Sequence, residues 1–415
     1  MQMRTLQERW RPWSRWLPWL CGLVATGIAA RNLILIGTYA DLDIYLDVAR
    51  EFREGGIDIF RDRANSGPWV CPHFAALPFV VLEACCGDAL ARWIWCLLLG
   101  LGTALLLRSL ACAMAMVGGL RWWQWLVFGV LFQRCLAQNL THGQLSLLVG
   151  TFVAAGVADL MQKRDLRAGT WLGLAAALKL TPLLFLLALP LMRRPRAAAM
   201  MLAVAFAAVL LVPWPFCGTA EHARHLADFA RTIAEAIGAP EDAAIVQAHG
   251  GPSIGGTLDY LLQARAFDKE GHTVNVVDVG ETALRFTKLA WAGLLGGLLV
   301  LWFIRARAWP EPDRLAMQCS AVMLAIVFFA PLVRVYHLAA AMLPFALFCR
   351  GPRRGPDFWW WASAFAVLFA LTLRQRSLIG ETLWRSLDGG GLLHFALVGM
   401  LVWLLRESRS PRESS

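Results

Sequence analysis

Apolar residues dominate the chain in long runs, and the polar residues between them gather in short clusters. A bilayer core about 30 Å thick calls for about 20 apolar residues in a helix. Segments 17–37, 89–110, 122–137, 140–160, 197–214, 286–304, 315–330, 335–349, 358–373 and 391–405 approach or reach that pattern. They predict an all-α polytopic membrane protein with about ten transmembrane helices. A further apolar run, 169–192, is interrupted by Lys179-Leu180-Thr181-Pro182. A lysine at bilayer depth is costly, and Pro182 removes a backbone donor. The run predicts a re-entrant pair of half-helices with Lys179 near the tip, because broken backbone at that depth must be buried in protein or line a wet cavity. Segment 69–85 is also apolar but contains Pro72, His73, Pro78 and Glu83, and predicts a shallow outer segment.

The first polar stretch, Thr38–Phe52, has a different period. Leu42, Tyr45, Leu46, Ala49 and Phe52 repeat at helical spacing, with Asp43, Asp47, Arg50, Glu51 and Glu54 on the opposite side. This pattern predicts an amphipathic helix on the outer membrane surface. Asp41 stands at its N-terminal end, where an aspartate serves either as an N-cap or as a placed chemical group.

Composition strengthens the membrane reading. The 415 residues are 58% hydrophobic and 16% charged, against about 45–50% and about 25% in soluble domains. The chain has 20 Trp and 4 Tyr. Trp13, Trp16, Trp19, Trp122, Trp123, Trp214, Trp359 and Trp360 fall near predicted membrane edges, as in an interfacial aromatic belt. The net charge of +10 comes largely from clusters beside apolar runs, such as Arg9, Arg11 and Arg15, or Arg193, Arg194 and Arg196, or Arg305 and Arg307, or Arg350, Arg353 and Arg354. Positive-inside topology accounts for these clusters, and no nucleic-acid partner is expected. Both termini are then cytoplasmic. Segments 38–88 and 217–285 are outer loops, 406–415 is a cytoplasmic tail, and 1–415 is one membrane-embedded domain. The basic start followed by segment 17–37 has features of a signal peptide, but its length and the runs that follow predict a retained helix. The ten cysteines show no zinc spacing. Cys71 and Cys217 fall in outer loops, where one disulfide is open to them. There is no internal repeat, which counts against transporters built on inverted repeats.

A few polar residues carry candidate chemistry. His142 and Gln144 lie beside Gln138, Asn139 and Gly143 at the outer end of a predicted span. They read either as helix-end residues or as the lining of a substrate cavity. Lys179 needs an anionic partner or water. Arg334, with Tyr336 and His337 after it, is a cation on the outer side and so points to an anionic ligand. An outer carboxylate with cations to hold a phosphate suits group transfer from a lipid-linked phosphate. No His and carboxylate cluster has ligand spacing, and no metal or cofactor is expected.

These residues also carry a resemblance. Asp41-Leu42-Asp43-Ile44-Tyr45, then Ala49, resembles the opening D-x-x-x-Y-x-x-x-A of glycosyltransferase family 87. Pro72 sits in its aromatic-x-Y-P-P element, Gly143-Gln144 in its G-Q-x-N, and Lys179-Leu180-Thr181-Pro182-Leu183 in its K-x-T-P-L, followed by Arg193-Arg194. Ser253 and Gly256 fit N-x-S-x-x-G, and Pro331-Leu332 with His337 fit S-P-L-x-x-x-x-H. Cys71, His73, Ser146, Gly251, Ala330 and Arg334 depart from the family residues.

The resemblance implies a C-type membrane glycosyltransferase fold in a bacterial inner membrane, with the site facing outward. It implies a polyprenyl-phosphate sugar donor, mannose in the family, and a glycan or glycolipid acceptor. By the family mechanism Asp41 is the base of a one-step inverting transfer, with Asp43 the competing candidate. Lys179 and Arg334 stabilise the leaving phosphate, His337 and His142 orient sugar or phosphate, and Gln144 and Tyr45 complete the donor side. A flippase for lipid-linked glycans and a noncatalytic polyprenyl-phosphate-binding relative are the alternatives.

Overall fold

The computed structural model describes residues 13–37, 39–53, 71–238, 253–264, 275–330, 334–352, 357–373, 380, 383, 387 and 391–408. Gly251, Pro331, Leu332, the arginines at 9, 11, 353 and 354, and most of the 406–415 tail lie outside them. All regular elements among the described residues are helical. The chain forms two compact units, one of residues 1–118 and 136–239 and the other of residues 119–135 and 240–415.

The first unit begins with α1 (Trp13–Ile36), α2 (Ala40–Arg53) and α3 (Leu77–Met116), the last preceded by a 3₁₀ turn, His73–Ala76. Helix α1 exposes Leu20, Leu23, Ile34 and Leu35 and buries Ala25, Ala29 and Leu33. Its small residues let it approach α3 closely. A Cβ on Gly22 would lie 2.7 Å from the Gly100 carbonyl oxygen and 2.8 Å from Ala104 Cβ. Gly22 with Thr26, and Gly100 with Ala104, form the small-residue pairs that bring membrane helices together by van der Waals packing. Helix α3 is broken at Gly87 (φ 68°, ψ 166°), between the expected shallow segment and the expected span.

Helix α4 (Trp122–His142) starts in the second unit and ends in the first. Helices α5 (Ser146–Met161), α6 (Asp165–Leu178), α7 (Leu184–Leu191), α8 (Pro195–Phe206) and α9 (Trp214–Gly238) complete the first unit. Thr151 Oγ1 donates to the Gly102 carbonyl at 3.0 Å, tying α5 to α3.

The second unit contains α10 (Ile254–Leu262), α11 (Glu281–Arg305), α12 (Glu311–Phe329), α13 (Met342–Cys349), α14 (Phe358–Leu368) and α15 (Leu392–Glu407). Ser253 caps α10, its Oγ accepting from Gly256 N–H at 3.3 Å. That motif therefore has a structural role here, satisfying one of the free N–H groups of a helix start. Helix α12 is apolar around most of its circumference and buried along most of its length, as an interior helix should be. Trp291 Nε1 and His394 Nε2 meet at 2.8 Å, joining α11 to α15.

Four helical runs among the described residues are long and apolar enough to cross a membrane: Trp16–Ile36, His73–Met116, Glu281–Ala308 and Glu311–Phe329. A bent pair, Pro195–Leu211 with Trp214–Thr232 at 85°, makes up to five. The expected ten are not reached by these measures, for two physical reasons. Ser146–Met161, Val335–Cys349 and Phe358–Leu371 are apolar but only 10–17 residues long. At about 1.5 Å per residue they fall short of a core about 30 Å thick. Helix α4 has the length, 21 residues, but carries Gln124, Gln133, Arg134, Gln138 and Asn139. It also runs through to His142, so Leu140 belongs to its end and does not open the next span.

Replacing Gly100 with alanine places a methyl on Thr26 and is expected to lower stability by about 1–3 kcal/mol. The thermal unfolding midpoint in detergent should fall, and Thr26→Ala should recover part of the loss. An unchanged midpoint would contradict the close α1–α3 packing.

Candidate active site

The site is built around a break between two helices. Helix α4 ends at His142, and Gly143 takes φ 68°, a left-handed conformation that glycine adopts without steric cost. A Cβ there would lie 3.0 Å from Leu42 Cβ and 3.2 Å from Tyr39 Cβ. The break is thus pressed against the start of α2. Trp95 Nε1 holds it by donating to the Gly143 carbonyl at 2.9 Å.

Gln144, the next residue, is buried, and its side chain meets Asp41 on α2. A carboxylate only accepts, so the amide nitrogen faces Asp41 and the amide oxygen faces the other way. That oxygen accepts from Tyr45 Oη at 3.3 Å and from Ser146 Oγ at 3.4 Å. Ser146 Oγ in turn accepts from Lys179 Nζ at 2.7 Å. Four side chains from three parts of the first unit therefore form a connected chain from carboxylate to ammonium.

Lys179 reaches this position because helix α6 stops at Leu178. Lys179 is extended (φ −145°, ψ 135°), and a 3₁₀ turn, Thr181–Leu183, leads into α7. The helical run is therefore broken at Lys179, as the sequence predicts. Cys71 is buried near the same place. Burial pushes its thiol up, the Lys179 charge pulls it down, and the Asp41 charge pushes it up.

Helix α2 forms as the spacing predicts, but its apolar stripe, Leu42, Tyr45, Leu46, Ala49 and Phe52, is buried within the protein and does not face lipid. The opposite side stays partly exposed, and its charged residues find partners there. Asp43 pairs with Arg92 of α3, Arg50 with Asp88 at 2.9 Å, and Arg53 with Glu83 at 3.0 Å. These pairs dock α2 on α3, and Asp47 remains exposed with Arg50 at 3.2 Å. Asp41 lies inside the first turn of a helix that begins at Ala40, and its carboxylate accepts from Gln144.

The structure thus gathers Asp41, Tyr45, Gln144 and Lys179. Asp43 is engaged by Arg92. His142 turns Nδ1 back to the Gln138 carbonyl at 2.9 Å. Arg334 and His337 belong to the second unit, where Arg334 N–H donates to His337 Nδ1 at 2.9 Å at the start of a 3₁₀ turn, Val335–Ala341. Cys71 and Cys217 are both free, which corrects the disulfide open to them from sequence. Cys217 Sγ meets the carbonyl of Pro213 at 3.2 Å.

Sequence reasoning missed Ser146, Cys71 and Arg92 as neighbours of these groups. The first two were visible only as departures from a family pattern, and Arg92 sat unmarked in an apolar run. It also missed a buried imidazole group. His73 and His222 share a hydrogen bond at 3.0 Å, and His225 packs with its ring centroid 5.8 Å from that of His73. Among the described residues no group of three His, Cys, Asp or Glu could hold a metal ion.

Gly143→Ala combines a strained φ with contacts on Leu42 and Tyr39. It is expected to cost more than about 1 kcal/mol, seen as a lower unfolding midpoint in detergent. A midpoint equal to that of the unsubstituted protein would contradict this account of the break.

Residues 69–334, more than half of the 415-residue chain, match glycosyltransferase family 87. Cys71, His142, Gln144, Ser146, Lys179 and Arg334 lie inside the match, whereas Asp41, Asp43 and Tyr45 precede it and His337 follows it. No curated protein and no solved structure matches the chain. Together with the long apolar helices, the extent of the family match makes this chain a member of glycosyltransferase family 87 and a membrane glycosyltransferase.

Proposed function

We propose that the protein transfers a sugar, mannose by its resemblance to the family, from a polyprenyl-phosphate donor to a hydroxyl of an envelope glycan or glycolipid. The observation that carries the reading is the placement of Asp41. A neutral amide holds its carboxylate, while the ammonium of Lys179 is anchored nearby on Ser146. A base needs its lone pair available, and a leaving phosphate needs a fixed cation. Asp43 suits the first task less well because Arg92 already neutralises it.

In the proposed step Asp41 takes the acceptor hydroxyl proton. The acceptor oxygen bonds to the anomeric carbon as the bond from that carbon to the phosphate oxygen breaks. The electron pair leaves on the polyprenyl phosphate, whose charge Lys179 stabilises as a preorganised cation. Inversion follows from attack opposite the leaving group. Arg334 and His337 remain the family-implied donor groups of the second unit, and the step is carried by the first-unit residues alone.

We place the site on the outer side of a bacterial plasma membrane. Lys163 and Arg164 precede α6, Arg167 lies in its first turn, and Arg193, Arg194 and Arg196 follow α7. Basic residues favour the cytoplasmic side, so both outer ends of the α6–α7 pair belong there and Lys179 belongs at the tip of a re-entrant loop. The reading retains about ten crossings, in which the bilayer thins locally to match the shorter apolar helices.

Asp41→Asn should lower sugar transfer by about 10²–10⁴-fold, the usual contribution of a positioned base, and leave donor binding intact. Asp43→Asn should cost far less. Lys179→Met should weaken use of the lipid donor and lower kcat together. Transfer is measured in proteoliposomes with a radiolabelled polyprenyl-phosphate sugar. Undiminished transfer by Asp41→Asn would refute the assignment of the base. Lipid translocation without transfer in either protein would favour the flippase.

A further inference from the structure

We propose that Ser146 is a positioning residue that holds Lys179 off Asp41 while coupling their charges through a one-way hydrogen-bond chain. The inference rests on the reading of Asp41 as the base. Its direction follows from donor and acceptor chemistry. An ammonium can only donate and a carboxylate can only accept. Lys179 Nζ therefore donates to Ser146 Oγ at 2.7 Å. The Ser146 hydroxyl then donates to Gln144 Oε1 at 3.4 Å, and the Gln144 amide donates to Asp41. Tyr45 Oη donates to the same amide oxygen at 3.3 Å and adds to the polarisation.

Hydrogen bonds aligned head to tail strengthen one another, and more so at low dielectric. Ser146 is 3% exposed and Gln144 is 2% exposed, so water competes little for the middle of the chain. Both ends are charge-assisted, which makes them the stronger bonds. The result is a carboxylate joined to an ammonium through two intervening side chains. A direct ion pair would hold the ammonium against the base and away from a leaving phosphate. Within this chain of side chains Ser146 is the link that meets the ammonium, and its hydroxyl is the smallest group able to accept from lysine and donate to glutamine at once.

Among the described residues, the other titratable and charged groups around this end of α2 are accounted for. Cys71 is buried before α3, and Asp43 and Arg92 hold each other. His73 is bonded to His222, and His142 turns to its own helix. None of these groups is bonded to the Ser146 side chain, so a shift that follows its substitution tests the chain itself.

The test compares Ser146→Thr with Ser146→Val, which have nearly equal volume, and adds Ser146→Asn, whose amide can both accept and donate. The acid limb of kcat/KM for sugar transfer should move up by about one pH unit in Ser146→Val and stay in place in Ser146→Thr and Ser146→Asn. A purely structural role would lower kcat equally in Thr and Val without moving the limb, and that result overturns the proposal. A second readout needs no activity. The Asp41 carboxylate band, assigned by infrared difference against Asp41→Asn, should titrate higher in Ser146→Val than in Ser146→Thr. If it does, and the unsubstituted protein transfers no sugar from a polyprenyl-phosphate donor, the enzymatic reading fails while the coupling stands. If the band titrates identically in the two variants, the coupling is refuted whatever the activity.

Discussion

A carboxylate that must accept a proton has to be held in place without being neutralised. On the proposed reading of Asp41 as the base, that constraint bears on the whole first unit of this protein. Asp41 is fixed by a side-chain amide, which supplies a donor and no charge, and the nearest lysine is anchored on a serine. Two residues along the same helix, Asp43 shows the opposite arrangement, an ion pair with Arg92. The two aspartates share a helix, a side-chain length and a neighbourhood. Only the chemistry of the partner separates a group suited to proton transfer from one suited to docking the helix.

Holding Asp41 in this way demands irregular backbone from three elements. The α4–α5 connection must come close enough to α2 for Gln144 to reach, which requires a residue without a Cβ in a left-handed conformation, Gly143. Helix α6 must end early enough for Lys179 to leave the helical path, and its extended backbone allows this. Helix α2 must be rigid, and its polar side is clamped to α3 by Arg92, Arg50 and Arg53. Regular helices carry the apolar packing around these breaks, where small residues such as Gly22 and Gly100 let α1 and α3 approach. The residues of the candidate site gather where helical order is interrupted, at Gly143 and Lys179.

Periodicity and cost were the legible signals. The stripe from Leu42 to Phe52 announced α2 because burial of one face enforces helical spacing, and all five of its residues are buried. The lysine and proline in an apolar run announced the break at Lys179 because each is expensive in a membrane helix. The distinction between Asp41 and Asp43 was not legible from periodicity, since it depends on Arg92, about 50 residues away along an apolar helix whose rotation no local pattern fixes. Ser146 stood out only as a departure from the family residue, and its contacts with Lys179 and Gln144 became visible only in space. Helix ends were also hard to place. The polar residues Gln138 and Asn139 marked a boundary in hydropathy, but α4 continues past them to His142 because buried polar side chains do not by themselves stop a helix. Crossing number suffered for the same reason: apolar runs state that a segment avoids water, and length along a helix decides whether it spans.

The central claim is that one locus in the first unit holds both the proton acceptor and the leaving phosphate. The most direct measurement is an experimental structure with a polyprenyl-phosphate sugar bound. The account predicts donor phosphate oxygens about 2.7–3.2 Å from Lys179 Nζ, with the anomeric carbon directed toward Asp41. A donor phosphate bound instead among Asp159, Arg164 and Arg167, the charged cluster at the other end of α5, would contradict both the mechanism and the sidedness on which it depends.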